Sequence, residues 1–217
     1  MHIEILVEDS SGAKLLQLIL PQLLGPNGDP HTWRLHAYKG VGRIPKGLVA
    51  KTDPAKRVLL DRLPLLLRGY GNTPGIDAVV VVLDTDKHDC ADFLSKLKSV
   101  VRDCNPAPPT LFRLAIEEIE AWYFGDRDAL LAAYPRAKRD VLGKYVQDSV
   151  CDTWELLADA VHPGGSTALK KAGWPLPGQV KHEWAEKIGS RMVSERNLSP
   201  SFRKLKDGLR RLVDGAT

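Results

Sequence analysis

Two aspartates one residue apart, Asp84 and Asp86, stand at the exit of an apolar run, AVVVVL, at residues 78–83. Carboxylates held that close repel, and the repulsion must be offset. A divalent cation would offset it; a solvated turn would simply dilute it. In extended backbone, residues i and i+2 share a face, so both side chains would point the same way. A hard cation such as Mg²⁺ takes oxygen ligands, usually one or two carboxylates completed by water and substrate phosphate. Other acids occupy comparable positions: Glu8 follows HIEILV (2–7), and Glu117, Glu118 and Glu120 follow TLFRLAI (110–116). On a helix Glu117 and Glu120 would share a face, whereas in a continued strand Glu118 and Glu120 would.

The elements that must position these acids follow from periodicity. HIEILV predicts a first strand, EDSSG a turn with Ser10 and Ser11 as helix caps, and AKLLQLILPQLL (13–24) a helix. TWRLHAY (32–38) predicts a second strand. KGVGRIPKG (39–47) is a basic, glycine-rich loop lacking the phosphate-loop pattern. Residues 54–68 predict a helix with Pro54 in its first turn and Pro64 as a kink or break. The β-branched run 77–83 predicts a strand buried on both faces, as in a parallel sheet, and 88–103 predicts the next helix. TLFRLAI is the fourth strand. Strands alternating with helices predict an α/β, doubly wound, mainly parallel four-stranded sheet, which binds ligands at the carboxyl ends of its strands. All three acidic groups belong to that rim. Beyond Asp126 the strand signals stop, and helices are expected over 126–160 and 178–213 around HPGGSTALKKAGWPLPG (162–178). The organisation expected is an α/β core (1–125) with a helical annex packed on it (126–217).

At 43% hydrophobic and 27% charged, the chain has the composition of an ordinary globular protein. No run approaches the roughly 20 apolar residues of a membrane span. The acidic N-terminus MHIEILVED predicts no signal peptide, and Cys90, Cys104 and Cys151, with no CxxC among them, fit a reducing cytoplasm. The net charge of +4 is unevenly spread. Residues 34–68 hold nine Lys and Arg against two acids, and residues 181–211 nine against four. The intervening 84–128 holds ten acids against six bases. Acids flanked by bases suit a metal-dependent enzyme acting on a polyanion, although solvated helices also carry such patterns. The expected phosphate contacts are Lys39, Arg43 and Lys46 in the basic loop and Arg203, Lys204, Arg210 and Arg211 near the C-terminus.

Glu8 closing the first strand, the later apolar strand ending in Asp84 and Asp86, and the basic flanks resemble a Toprim domain. This is the metal-binding catalytic module of topoisomerases, primases and overcoming-lysogenization-defect nucleases. EIEAW (118–122) and NLSPSFRKLKDGLRRL (197–212) are similar to the "domain of unknown function 4276" family, Toprim-like proteins often encoded beside an ATPase in prokaryotic defence loci. The resemblance spans most of the chain. It implies a Toprim-like fold and a nuclease-type, Mg²⁺- or Mn²⁺-dependent hydrolase acting on nucleic acid, DNA before RNA, in antiphage defence. It also implies Glu8 as general acid/base or ligand, Asp84 and Asp86 as metal ligands, and Glu120 with Glu118 completing a site for a second ion. The chain departs from the pattern where a glycine is expected after the first glutamate, since Asp9 stands there. It departs again where a further acid is expected and Gly12-Ala13 stands.

Two other functions compete. One is a non-catalytic or latent subunit working only with a partner ATPase, which the missing acid favours. The other is a DxD glycosyltransferase, in which Glu8 would have no task. His88 lies near enough to the DxD for a ligand or proton shuttle, but helix starts often carry such a polar residue. His162 and His182 read as surface positions. Trp122, Trp174 and Trp184 could stack on bases, though core packing is the commoner use of tryptophan. Ser199 reads as the cap of the last helix.

Overall fold

Six consecutive buried residues, from Ala78 to Leu83, place one strand at the middle of the sheet. In the computed structural model, which describes residues 1–44, 58–86, 88–149 and 152–215, that strand is β3 (Ala78–Asp84). It lies between β1 (His2–Val7) and β4 (Thr110–Ala115), and β2 (Thr32–Ala37) flanks β1. The order is β2-β1-β3-β4 and every pairing is parallel, with Val7 opposite Val82 and Asp84 opposite Ala115. The mainly parallel sheet expected from the sequence is therefore wholly parallel, an arrangement consistent with a Toprim-like doubly wound fold.

Alternation along the strands sends side chains to two cores. Ile3, Ile5, Val7, Val80 and Val82 enter one hydrophobic cluster with α1 (Ser10–Leu24). Leu6, Val79, Val81 and Leu83 enter the other, with α2 (Leu59–Gly71) and α3 (Cys90–Arg102). Helices on both faces satisfy the parallel sheet's need to bury both.

The annex comprises α4 (Ala121–Gly125), α5 (Arg127–Ala133), α6 (Arg139–Leu142), α7 (Thr153–Val161), α8 (Gly165–Ala172), α9 (Leu176–Gly189) and α10 (Pro200–Asp214). Its apolar residues Trp184, Ile188, Phe202, Leu205 and Leu209 join the α1 cluster, so one continuous core runs from the sheet into the annex. Helix α9 lies close on α1: a Cβ at Gly189 would meet Leu15 Cδ1 at 2.9 Å. The two segments that carried the family resemblance meet here. Trp122 Nε1 donates to Ser201 Oγ at 2.9 Å, and Asn197 Nδ2 donates to the Trp122 carbonyl at 2.8 Å. As expected, Ser199 caps α10, accepting from Phe202 N at 3.2 Å.

Some expectations shift. The cap of α1 is Asp9, which accepts from Gly12 N at 2.7 Å, and Ser10 and Ser11 fall inside the helix. A carboxylate competes better than a hydroxyl for the orphan amides of a first turn. Helix α2 begins at Leu59 and carries Pro64 without breaking, because its first turns are held by burial of Leu59, Leu60 and Leu63. Residues 54–57 of the expected helix lie outside the described residues. The expected 162–178 loop contains α8. No helix among the described residues is long and apolar enough to cross a membrane.

Candidate functional site

The strand order creates the site. From β1 the chain returns through α1 to β2 on one side, and from β2 it crosses to β3 on the other. The connections leaving β1 and β3 therefore diverge, opening a crevice at their carboxyl ends where such sheets bind ligands. Glu8 follows β1 and Asp84 ends β3, so they face each other across it. Asp84 N donates to Glu8 Oε2 at 3.3 Å.

Thr85, between the two aspartates, latches β3 to β4. Its buried hydroxyl accepts from Glu117 N at 2.7 Å, its own N donates to the Ala115 carbonyl at 3.1 Å, and Asp86 N donates to the Glu117 carbonyl at 3.0 Å. This brings residues 117–120 over the end of β3. They form neither helix nor strand but a turn in which Glu117 has φ +60°, so the three glutamates diverge.

Each then has its own task. Glu117 turns to the start of α7, accepting from the backbone N of Asp152 and from both N and Oγ1 of Thr153. It is a capping group for orphan amides. Glu118 Oε2 accepts from Trp154 N at 3.1 Å, and its Oε1 accepts from Lys181 Nζ at 3.0 Å. Glu120, 1% exposed, places Oε1 3.4 Å from Lys181 Nζ, while its buried Oε2 has no hydrogen-bond partner among the described residues. Glu117→Ala should therefore cost stability, about 1–2 kcal/mol as capping losses do, visible as a lower melting temperature. A melting temperature equal to the wild type's would remove the capping role.

Electrostatics mark the cluster. Burial, then Asp86 and Asp9 close by, push the Glu8 carboxyl up to about 7, against the bonds from Asp84 N and Val41 N. Burial followed by Glu8 and Glu120 pushes Asp84 well above the carboxylate range. Burial, then Glu120, raises Glu118 to about 8, and burial raises Glu120 although Lys181 opposes it. Burial lowers and the surrounding carboxylates raise the Lys181 ammonium, and the carboxylates win. Groups displaced this far, gathered at a crevice, are what catalytic sites collect.

The structure thus brings Glu8, Asp84, Glu118 and Glu120 together. The extended geometry expected of the pair stops at Asp84: Asp86 is exposed in a turn at φ +46°, and it acts on Glu8 through space more strongly than Asp9 does. Of the two residues standing where a further acid was expected, Gly12 is crowded, since a Cβ there would meet Val7 Cγ2 at 2.9 Å and Ile119 Cδ1 at 3.3 Å, whereas Ala13 is only half-buried. Asp9 adds negative charge to the cluster instead, although its oxygens are taken by Gly12 N and Ser11 Oγ.

Beside the cluster opens a cleft of about 820 Å³ lined by Asp9, Tyr38, Lys39, Trp174, Lys181 and His182. Trp174 is 81% exposed, whereas Trp122 and Trp184 are core residues. Lys39 is exposed at the cleft. Arg43, also exposed, borders a separate hollow with His88 and Phe93, and His88 stacks on Phe93 at 5.1 Å. Lys46 lies outside the described residues. On α10, Arg210 pairs with Glu195, Arg203 Nε donates to the Asn197 carbonyl at 2.9 Å, and Lys204 and Arg211 are exposed.

Sequence reading missed Lys181 and Tyr123. Tyr123 Oη is buried without a hydrogen-bond partner among the described residues, and burial, then Glu120, pushes its pKa far up. Its place one residue after EIEAW was the only local signal. Lys181 had none, since it arrives from α9.

Comparison with protein-family models, curated proteins and solved structures returned no match. The class rests on fold and site alone: a parallel α/β domain with a carboxylate cluster at its switch point. Among the described residues no group of three or more His, Cys, Asp or Glu forms a cage for a metal ion. Mg²⁺ does not require one, being held by one or two carboxylates with water and phosphate. The donor chemistry fits such an ion: hard oxygens only, mutual repulsion that a cation would relieve, and the partnerless Oε2 of Glu120.

Proposed function

We propose that this protein is a Toprim-like, Mg²⁺- or Mn²⁺-dependent phosphodiester-cleaving enzyme acting on nucleic acid, DNA before RNA. The observation that carries the reading is the convergence of Glu8, Asp84 and Glu120, from three different strand exits, on one crevice. Asp84 and Glu120 would hold the ion. When bound, it would polarise the phosphodiester and offset charge developing on the leaving oxygen.

The chain's own residues would do the rest. Glu8, with its carboxyl at about 7, is poised to accept a proton near neutral pH, where a general base is most effective. Tyr123, whose pKa burial and then Glu120 push far up, keeps a neutral hydroxyl at the cluster. Lys39 at the cleft suits a phosphate, and exposed Trp174 suits an unpaired base, since base-aromatic stacking requires no particular sequence. A prokaryotic defence setting, with an ATPase encoded nearby, belongs to the same proposal through the family resemblance.

The test is cleavage of plasmid, single-stranded DNA and RNA in Mg²⁺, Mn²⁺ or EDTA by wild-type and Asp84→Ala protein, with nucleotide sugars alongside. Metal-dependent cleavage, lost in EDTA and in the variant, is expected. Cleavage that persists in EDTA would overturn the reading. Cleavage only after adding the neighbouring ATPase would favour the latent subunit, and nucleotide release from a sugar donor the glycosyltransferase.

A further inference from the structure

A two-metal site would need a second ion beside Glu118 and Glu120, and in this fold a side chain already supplies that positive charge. Lys181 Nζ lies 3.0 Å from Glu118 Oε1 and 3.4 Å from Glu120 Oε1, with its side chain only 20% exposed. It is held from another direction by Trp154, whose ring centroid is 5.7 Å from Nζ and whose backbone N donates to Glu118 Oε2. Its helix, α9, is packed on α1, so the ammonium is delivered by a rigid element.

The other half of the cluster is different. Among the described residues, neither the Glu8 nor the Asp84 carboxylate forms an ion pair with Lys or Arg, although Asp84 feels Lys181 through space. Glu120 stands between the halves: one oxygen faces Lys181, and the other is buried without a partner. Like charges this close in a dry crevice are not both carried without compensation: a proton, an ammonium or a metal ion must offset one of them. The acids are therefore divided, one group paired with the Lys181 ammonium and the other with no cationic side chain beside it among the described residues.

We propose that the site takes a single divalent ion, and that Lys181 is the permanent cation of the Glu118–Glu120 side in place of a second metal. The inference rests on the metal-dependent reading above and adds its stoichiometry. It also gives the annex a part in the site, since the charge arrives on α9 and not from the sheet.

Mn²⁺ titration by calorimetry at pH 8.5, with electron paramagnetic resonance on the loaded protein, separates the possibilities. Wild-type protein should bind one equivalent and give the spectrum of an isolated Mn²⁺. Lys181→Arg, which keeps the charge, should do the same. Lys181→Met should bind a second equivalent and show spin coupling between two ions, which lie roughly 3.5–4 Å apart in two-metal sites. Should Lys181→Met fail to fold by circular dichroism, Lys181→Gln replaces it, and the wild-type stoichiometry stands regardless. Two equivalents in the wild type would overturn the single-ion inference and leave the metal-dependent reading intact. A folded Lys181→Met that still binds one ion at wild-type affinity would overturn the role of Lys181 as a stand-in for a second metal, again leaving the metal-dependent reading intact. No Mn²⁺ binding by any of these proteins would overturn the metal-dependent reading itself.

Discussion

Asp84→Ala protein should lose Mn²⁺ binding altogether and, without metal, melt at a higher temperature than the wild type. Asp84 ends β3 at the crevice and is raised well above the carboxylate range by burial, then by Glu8 and Glu120. Above the unfolded carboxylate range the folded protein must therefore either hold a proton on Asp84 that the unfolded chain releases or bury its charge, and both weaken the apo fold. Removing the carboxyl removes that cost. The gain should be on the order of 1–2 kcal/mol, about 2–8 °C for a chain of this size. The same change removes one of the ion's few protein ligands, so calorimetry with Mn²⁺ should show no heat of binding. Most residues cost stability when cut back to alanine, so the opposite signs of the two effects are diagnostic. Unchanged Mn²⁺ affinity would move the site elsewhere and reduce the DxD to a turn.

The second large effect is on pH dependence. Glu8 titrates at about 7 and Glu118 at about 8 in the folded protein, against 4.5 for an unperturbed glutamate. Between those values the folded state holds protons that the unfolded chain has released. Stability contributed by these groups is therefore fully present below pH 4.5 and is lost as pH rises through 7 to 8. The loss should be on the order of a few kcal/mol. Urea denaturation of the apo protein at pH 5, 6, 7 and 8 should show stability falling with pH, and saturating Mn²⁺ should flatten the curve by offsetting the ionised carboxylates. Glu8→Gln should flatten the apo curve over pH 5–7 and, since it removes the general base, lower any nuclease rate by roughly 10²–10⁴-fold with the fold intact. An apo profile that is level or rises across this range would contradict the burial assigned to both glutamates.

Much of this arrangement was legible along the chain. The β-branched run ending at Asp84 announced a central parallel strand, and Glu8 after HIEILV announced a second acid at the same rim. These are local signals, because alternation and β-branching act through each residue's own backbone and its two faces. Ser199 before Pro200 likewise declared the start of α10, since a cap depends on only the next three residues.

Which acids meet, and what else meets them, depended on packing between distant elements. Only the order β2-β1-β3-β4 sets Glu8 beside Asp84, and strand order is chosen by how helices cover both faces of the sheet. Three glutamates of similar sequence context became a helix cap, a lysine partner and a half-satisfied buried acid, because the turn at Glu117 sends their side chains apart. Asp86 stands in a turn beyond the strand because β3 ends at Asp84, where the latch through Thr85 ties the chain to residue 117. Trp122 and Trp184 went to the core and Trp174 to the cleft, a division that no local pattern encodes. Lys181 reached Glu118 across 63 residues of sequence because α9 packs on α1, and side-chain meetings at that range are settled only when the core closes.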